Sequence, residues 1–277
     1  MSETGKTNRK RILITGAGGR VGHALRTHLK DRYDFRLLDV RPVEDAEPGD
    51  QVVVADVADF EQVLEASRGV DAIAHLAIGW EARRGTRAAL AKKTIDVDIR
   101  GCYNVLEAAH LNKVGCVVFA STNHVTGLNE QDGIVSRPEL PVRPDGIYGA
   151  GKAFGEALGR CYADRMGVRF FAIRIANFNN RDEPGRDYAP GENRWLSPRD
   201  AAELWARCIE AEHVPFGIFY GVSRGAEKKW DLSSNEDVLG WEPQDDGTLP
   251  EFRALYANRT RRTEQPSTRA AGNRGGR

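Results

Sequence analysis

The chain of 277 residues has no apolar run approaching the ~20 residues that cross a bilayer, so no membrane-spanning helix is expected. Met1 to Lys10 is polar and lacks the apolar core of a signal peptide, and none is expected. Cysteine is scarce. Cys102, Cys116, Cys161 and Cys208 form neither a Cys-x-x-Cys pair nor ligand spacing, which argues against a disulfide framework and a structural zinc site. A reducing compartment and a cytoplasmic location are expected. Net charge is missing too: 40 acidic and 40 basic residues cancel, so no global field advertises nucleic acid or a membrane surface as a partner. No His/Asp/Glu cluster has convincing ligand spacing, and no metal is expected. A soluble globular protein is expected.

What the chain does have is alternation. Arg11 to Thr15, Phe35 to Val40, Gln51 to Ala55, Asp71 to Leu76, Val114 to Ala120 and Arg169 to Ala176 read as strands. Val21 to Lys30, Phe60 to Ser67, Ile95 to Leu111 and Tyr148 to Met166 read as helices, the last stopped by Gly167. Strands alternating with helices predict an α/β fold, a doubly wound parallel sheet (Rossmann fold), over residues 11–176. Over residues 177–256 the rhythm breaks. Asn177 to Arg194 reads as a long polar loop, and Ser197-Pro198 opens a helix as N-cap and first helical residue. Gly217 to Val222 reads as a late strand and Asn235 to Leu239 as a short helix. These pieces are too small for an independent domain and read as a substrate-binding cap integrated with the sheet. Residues 1–10 and the Arg-rich stretch 257–277 read as disordered.

Thr15-Gly16-Ala17-Gly18-Gly19-Arg20-Val21-Gly22 lies between the first strand and the first helix. Backbone N–H groups and the helix dipole there suit a pyrophosphate, and glycine permits its close approach. Asp39 follows about 20 residues on, where a carboxylate meets an adenosine ribose and repels a 2′-phosphate. That favours NAD over NADP, with Arg41 close enough to soften the preference. Asp56 and Val57, after the third strand, are placed to meet an adenine edge. Tyr148 and Lys152 are four residues apart and share a helix face. A phenol titrates near pH ~10 when unperturbed, and an ammonium beside it favours the phenolate, which makes a base.

Together these residues resemble the extended short-chain dehydrogenase/reductase superfamily of NAD-dependent epimerases and dehydratases, from about residue 11 to residue 245. His75-Leu76-Ala77 and Asn104-Val105-Leu106-Glu107-Ala108-Ala109 carry the resemblance further. It implies that Leu76 and Ala77 line the cofactor. It also implies a hydroxyl after the fifth strand, which falls on Thr122 with Ser121 as the fallback. Phe119-Ala120-Ser121-Thr122-Asn123-His124-Val125-Thr126-Gly127, Lys152-Ala153-Phe154-Gly155-Glu156, Ile173-Arg174-Ile175, Trp195-Leu196-Ser197, Lys229-Trp230-Asp231 and Leu239-Gly240-Trp241 look like the NAD-dependent uronate dehydrogenases.

Those enzymes oxidise the anomeric carbon of galacturonate or glucuronate to an aldarolactone. The resemblance implies that Tyr148 takes the proton of the C1 hydroxyl and Thr122 orients that oxygen. Lys152 would support Tyr148 and hold the nicotinamide ribose, while hydride passes from C1 to NAD. Thr122, Asn123, His124, Asn177, Arg186 and Arg194 are the implied substrate contacts, with Arg181 a further loop arginine. Three positions depart from the pattern. Ala77-Ile78-Gly79-Trp80 replaces a serine-bearing loop, Ala176-Asn177 replaces a Gly-Ser pair, and Asp98 stands where the superfamily has Asn. A neutral aldose 1-dehydrogenase, an NDP-sugar epimerase or dehydratase with bound NAD, and a non-catalytic NAD sensor remain open readings. The superfamily also implies a homo-oligomer through Ile95–Leu111 and Tyr148–Met166.

Overall fold

The structure, a computed structural model, describes residues 9–79, 86–179, 183–184 and 191–252. In chain order, β1 (Arg11–Thr15), α1 (Arg20–Leu29), β2 (Asp34–Asp39), β3 (Gln51–Val54), α2 (Phe60–Ala66) and β4 (Ala72–His75) build the first half. α3 (Arg87–Lys93), a π-helix (Thr94–Gly101) and α4 (Cys102–Leu111) then lead to β5 (Cys116–Thr122). A 3-10 turn (Asn123–Thr126) and α5 (Gly127–Gln131) precede α6 (Ile147–Met166) and β6 (Arg169–Ile175). The chain continues through β7 (Asn177–Phe178), β8 (Trp195–Leu196), α7 (Pro198–Glu210), β9 (Phe216–Gly221) and α8 (Ser233–Leu239).

Seven strands form one sheet in the order β3-β2-β1-β4-β5-β6-β9, and every neighbouring pair is parallel. All seven residues of β5 are buried, as a strand covered by helices on both faces must be. On one face Leu25 and Leu29 of α1 and Leu204 and Trp205 of α7 pack with Ile12, Ile14 and Val118. On the other, Val63 of α2, Val105 and Leu106 of α4 and Tyr162 of α6 pack with Leu13, Val117 and Phe119. The strand order reverses at β1, which pairs with both β2 and β4. That switch point opens a crevice at the carboxyl ends of the strands, where ligands bind in such sheets.

Several boundaries differ from the sequence expectation. The helix expected at Ile95 starts earlier, capped by Thr86, whose hydroxyl accepts from the Ala89 N–H at 3.2 Å. It then widens into the π-helix before α4. β5 runs two residues beyond Ala120, because Ser121 and Thr122 still pair with Arg174 and Ile175. The 3-10 turn and α5 were not expected, since Asn123–Gln131 carries too few apolar residues to show a period.

The late strand is β9, the seventh member of the main sheet, and α7 packs on α1. Part of the segment expected as a cap therefore completes the sheet itself. Ser197 caps α7 as expected, accepting from the Asp200 N–H at 3.0 Å. Arg9 and Lys10, expected within the disordered start, are held: Arg9 pairs with Asp34, and the Lys10 carbonyl accepts from the Asp34 N–H at 3.0 Å. The 257–277 stretch lies outside the described residues. Among the described residues no helix is long and apolar enough to cross a membrane.

Candidate active site

The glycine loop is shaped by contact with the neighbouring strand end. Gly16 has φ +70°, and a Cβ there would lie 2.8 Å from Ala77 Cα and N. Only glycine fits both the left-handed backbone and that approach. Leu76 and Ala77 are fixed against the loop, the Leu76 N–H donating to the Thr15 carbonyl at 3.0 Å. α1 opens with Gly19 as N-cap and no side-chain hydrogen bond caps it, so the N–H groups of Arg20, Val21 and Gly22 begin a helix terminus without a side-chain cap. Such a terminus suits an anion. Asp39, at the end of β2, accepts from the Gly18 N–H at 3.0 Å and the Arg41 N–H at 3.3 Å. Asp56 accepts from the Ala58 N–H at 2.9 Å. The Val57 side chain is buried and its carbonyl accepts from Asn104 at 2.9 Å. These residues stand at the carboxyl ends of β1, β2, β3 and β4, and a loop that would not admit a Cβ at Gly16 fits a dinucleotide.

Thr122, Tyr148 and Lys152 gather at the same ends of the strands. Thr122 closes β5 and caps the 3-10 turn, its hydroxyl accepting from the His124 N–H at 3.3 Å. Tyr148 lies in the first turn of α6 and Lys152 one turn later, with its Nζ 5.8 Å from the Tyr148 ring centroid. Lys152 is fully buried. Its ammonium faces Asp98 of the π-helix at 3.1 Å and the Phe119 ring at 4.6 Å. Burial pulls the Lys152 ammonium down, but Asp98 and then Tyr148 outweigh it, and the net shift is upward. Lys152 stays a cation. His75 lies beneath, bonded through Nδ1 to the Thr15 hydroxyl at 2.7 Å, and burial holds it neutral with a pKa of about 3.

Ser121, the fallback hydroxyl, is committed elsewhere. It donates to Glu156 at 2.6 Å, and Glu156 takes two bonds from Arg174 at 2.9 and 2.8 Å. Arg174 reaches the Tyr220 hydroxyl at 3.1 Å, which also meets Thr126 at 3.0 Å. This buried chain ties β5, α6, β6 and β9 together directly beneath Thr122.

Asn123 and Arg194 meet at a second carboxylate. Glu130 of α5 accepts from Asn123 Nδ2 at 3.3 Å, Arg194 Nη1 at 3.2 Å and Trp230 Nε1 at 2.9 Å. Burial pushes the Glu130 carboxyl up, partly offset by those three donors. The Arg194 guanidinium stacks on Trp230 at 5.3 Å. Asn177 is brought alongside, its N–H donating to the Arg194 carbonyl at 2.7 Å. His124 sits on the rim, 6.0 Å edge-on from the Tyr148 ring and bonded to Asp145 at 2.8 Å. Arg181 and Arg186 lie outside the described residues. The sequence assigned no role to Glu130, Glu156 or Asp145. Arg174, set among the apolar residues from Phe170 to Ile175 of β6, was the available sign that a buried partner such as Glu156 had to exist.

A parallel sheet with a glycine-lined switch-point crevice and a tyrosine–lysine pair beside it defines a dinucleotide-dependent protein of the short-chain dehydrogenase type. The chain belongs to the NAD dependent epimerase/dehydratase family, whose pattern matches residues 12–187. It is 38% identical over 251 residues to the NAD-dependent glucose-6-phosphate dehydrogenase of Haloferax volcanii, covering 84% of this chain and 93% of that one. It is 33% identical over 247 residues to the uronate dehydrogenase of Pseudomonas putida, covering 88% and 87%. The crystal structure of the glucuronic acid dehydrogenase of Chromohalobacter salexigens superposes with a TM-score of 0.76 at 31% identity, covering 90% and 89%.

Proposed function

We propose that this protein oxidises a sugar at C1 with NAD as its cofactor. The observation that carries the reading is that Tyr148 and Lys152, with Nζ 5.8 Å from the ring centroid, stand on α6 beside the 3-10 turn that Thr122 caps at the end of β5. Gly16, Gly18, Gly19, Arg20, Val21 and Gly22 would hold the pyrophosphate and Asp39 the adenosine ribose. Asp56 and Val57 would flank the adenine, with Leu76 and Ala77 lining the floor. When bound, NAD supplies the hydride acceptor. Tyr148, as phenolate, takes the proton from the C1 hydroxyl, and Thr122 fixes that oxygen by a hydrogen bond. Lys152 contributes the positive charge that favours the phenolate.

A hexuronate, galacturonate or glucuronate, is the favoured substrate. Its carboxylate would meet Arg194, with Asn123, His124 and Asn177 reaching ring hydroxyls and Arg186 as a further candidate contact. A guanidinium can take a carboxylate in a two-pronged bond, and the relatives named above include enzymes of uronates and of glucose 6-phosphate, all anionic sugars. The Glu130–Arg194 pair favours a second reading, a neutral aldose, because Glu130 already neutralises part of that charge.

The deciding assay is NADH formation from galacturonate, glucuronate, glucose 6-phosphate, galactose, glucose and arabinose, with wild type and Glu130→Gln. On the uronate reading, the uronates are turned over and Glu130→Gln raises their kcat/KM about tenfold relative to the neutral sugars, about 1.4 kcal/mol. Turnover of neutral sugars alone establishes the second reading. Tyr148→Phe should keep NAD affinity and lose at least about 100-fold in turnover. No NADH from any sugar overturns the proposal.

A further inference from the structure

A carboxylate is costly to bury unless a charge or hydrogen bonds compensate it. Asp98 is 1% exposed, and neither of its oxygens has another hydrogen-bond partner among the described residues. Its compensation is the Lys152 ammonium at 3.1 Å, which is itself 0% exposed. Two local features create the contact. The π-helix gives this stretch a wider turn than α3 and α4 on either side, a feature that π-turns often bring to functional sites. Gly151 lets α6 come close: a Cβ there would lie 2.6 Å from Thr94 Cγ2 and 3.6 Å from Asp98 Cβ.

Among the described residues, Cys102, His75 and Phe119 also stand near Lys152. Cys102 of α4 is a neutral thiol, pushed up to about 12 by burial. His75 of β4 is held neutral. Phe119 of β5 offers its ring face, and His124 with its partner Asp145 stands on the far side of Tyr148. Asp98 is thus the carboxylate that faces the lysine directly. A carboxylate 3.1 Å from that ammonium offsets the positive charge that Lys152 presents toward the Tyr148 ring, 5.8 Å from its Nζ.

We propose that Asp98 is a positioning residue: it fixes Lys152 in the crevice floor and offsets its charge, which sets the pH range of proton removal by Tyr148 higher than a neutral amide there would. This rests on the dehydrogenase reading for its kinetic consequence, not for its electrostatics. Asp98→Asn keeps the shape and removes the charge. The acidic limb of kcat/KM should then move to lower pH by about 1 unit, which is about tenfold in rate on that limb.

A second readout needs neither sugar nor cofactor. The ultraviolet phenolate titration of Tyr148, isolated by subtracting the spectrum of Tyr148→Phe, should move in the same direction. Asp98→Glu keeps the charge and should keep both midpoints near wild type, whereas a purely structural role would make Glu the more damaging change. Thermal melts confirm that each variant is folded. Midpoints unmoved or raised in Asp98→Asn overturn the proposal. Absence of turnover in every variant, with the phenolate titration shifted as expected, would remove the dehydrogenase reading and leave the Asp98 effect standing.

Discussion

Replacing Glu156 by leucine tests the scaffold on which the site is built. Arg174 is 1% exposed and Glu156 4%, and the two share bonds of 2.9 and 2.8 Å. In Glu156→Leu the guanidinium keeps, among the described residues, only the Tyr220 hydroxyl at 3.1 Å, with no carboxylate beside it. Breaking a buried pair from one side costs about 3–5 kcal/mol. At roughly 2–4 °C per kcal/mol for a chain of this size, the melting temperature should fall by ~6–20 °C. The double variant Glu156→Leu/Arg174→Met removes both charges and should recover most of that loss, since an apolar replacement of a buried pair is often neutral. Melts by circular dichroism at neutral pH, on wild type, both single variants and the double, close the cycle. A single variant melting within ~2 °C of wild type, or a double no better than the singles, would refute the reasoning. Because Ser121 also donates to Glu156 one residue before Thr122, the single variant should lose turnover as well as stability.

Asp39→Ala should shift the ratio of kcat/KM for NAD over NADP toward NADP by at least about tenfold, the worth of a charge-assisted hydrogen bond; an unchanged ratio would move ribose selection to Arg41 or elsewhere. His75 predicts an acid-labile fold. Its native pKa of about 3 lies below the ordinary histidine value of 6.5, so below pH 6.5 the unfolded chain binds a proton that the folded one refuses. Stability from this residue is complete above pH 6.5 and is lost as pH falls toward 3, by up to about 1.4 kcal/mol per unit. Denaturant midpoints measured across that range should show a shallower slope in His75→Gln.

The sheet was legible because its strands are short apolar runs between amphipathic helices, and alternation survives errors of one or two residues at each end. The glycine loop, Asp39 and the Tyr148–Lys152 pair were legible because each is local: spacing within one element carries the whole signal. The rest was not local. Glu130, Arg194 and Trp230 converge from three separate segments, and no periodicity links them. Lys229-Trp230-Asp231 was visible as a motif, yet its function as a donor to Glu130 needed the fold. The π-helix escaped for a different reason. One extra residue per turn barely alters an apolar stripe, so Ile95–Leu111 reads as ordinary α-helix although it turns Asp98 toward Lys152.

The strands β6 and β9 pair along their lengths, yet the chain between them runs out through Asn177, Arg194 and α7 before it returns. The excursion is therefore clamped at both ends by the sheet, while Thr122 and Tyr148, the residues proposed to handle the proton, stand on β5 and α6, outside it. On the proposed reading, lengthening, shortening or recharging that excursion would change what meets the far end of a sugar and leave Thr122, Tyr148 and Lys152 in place. A descendant of this chain could exchange its substrate by rewriting one loop and leave its chemistry untouched.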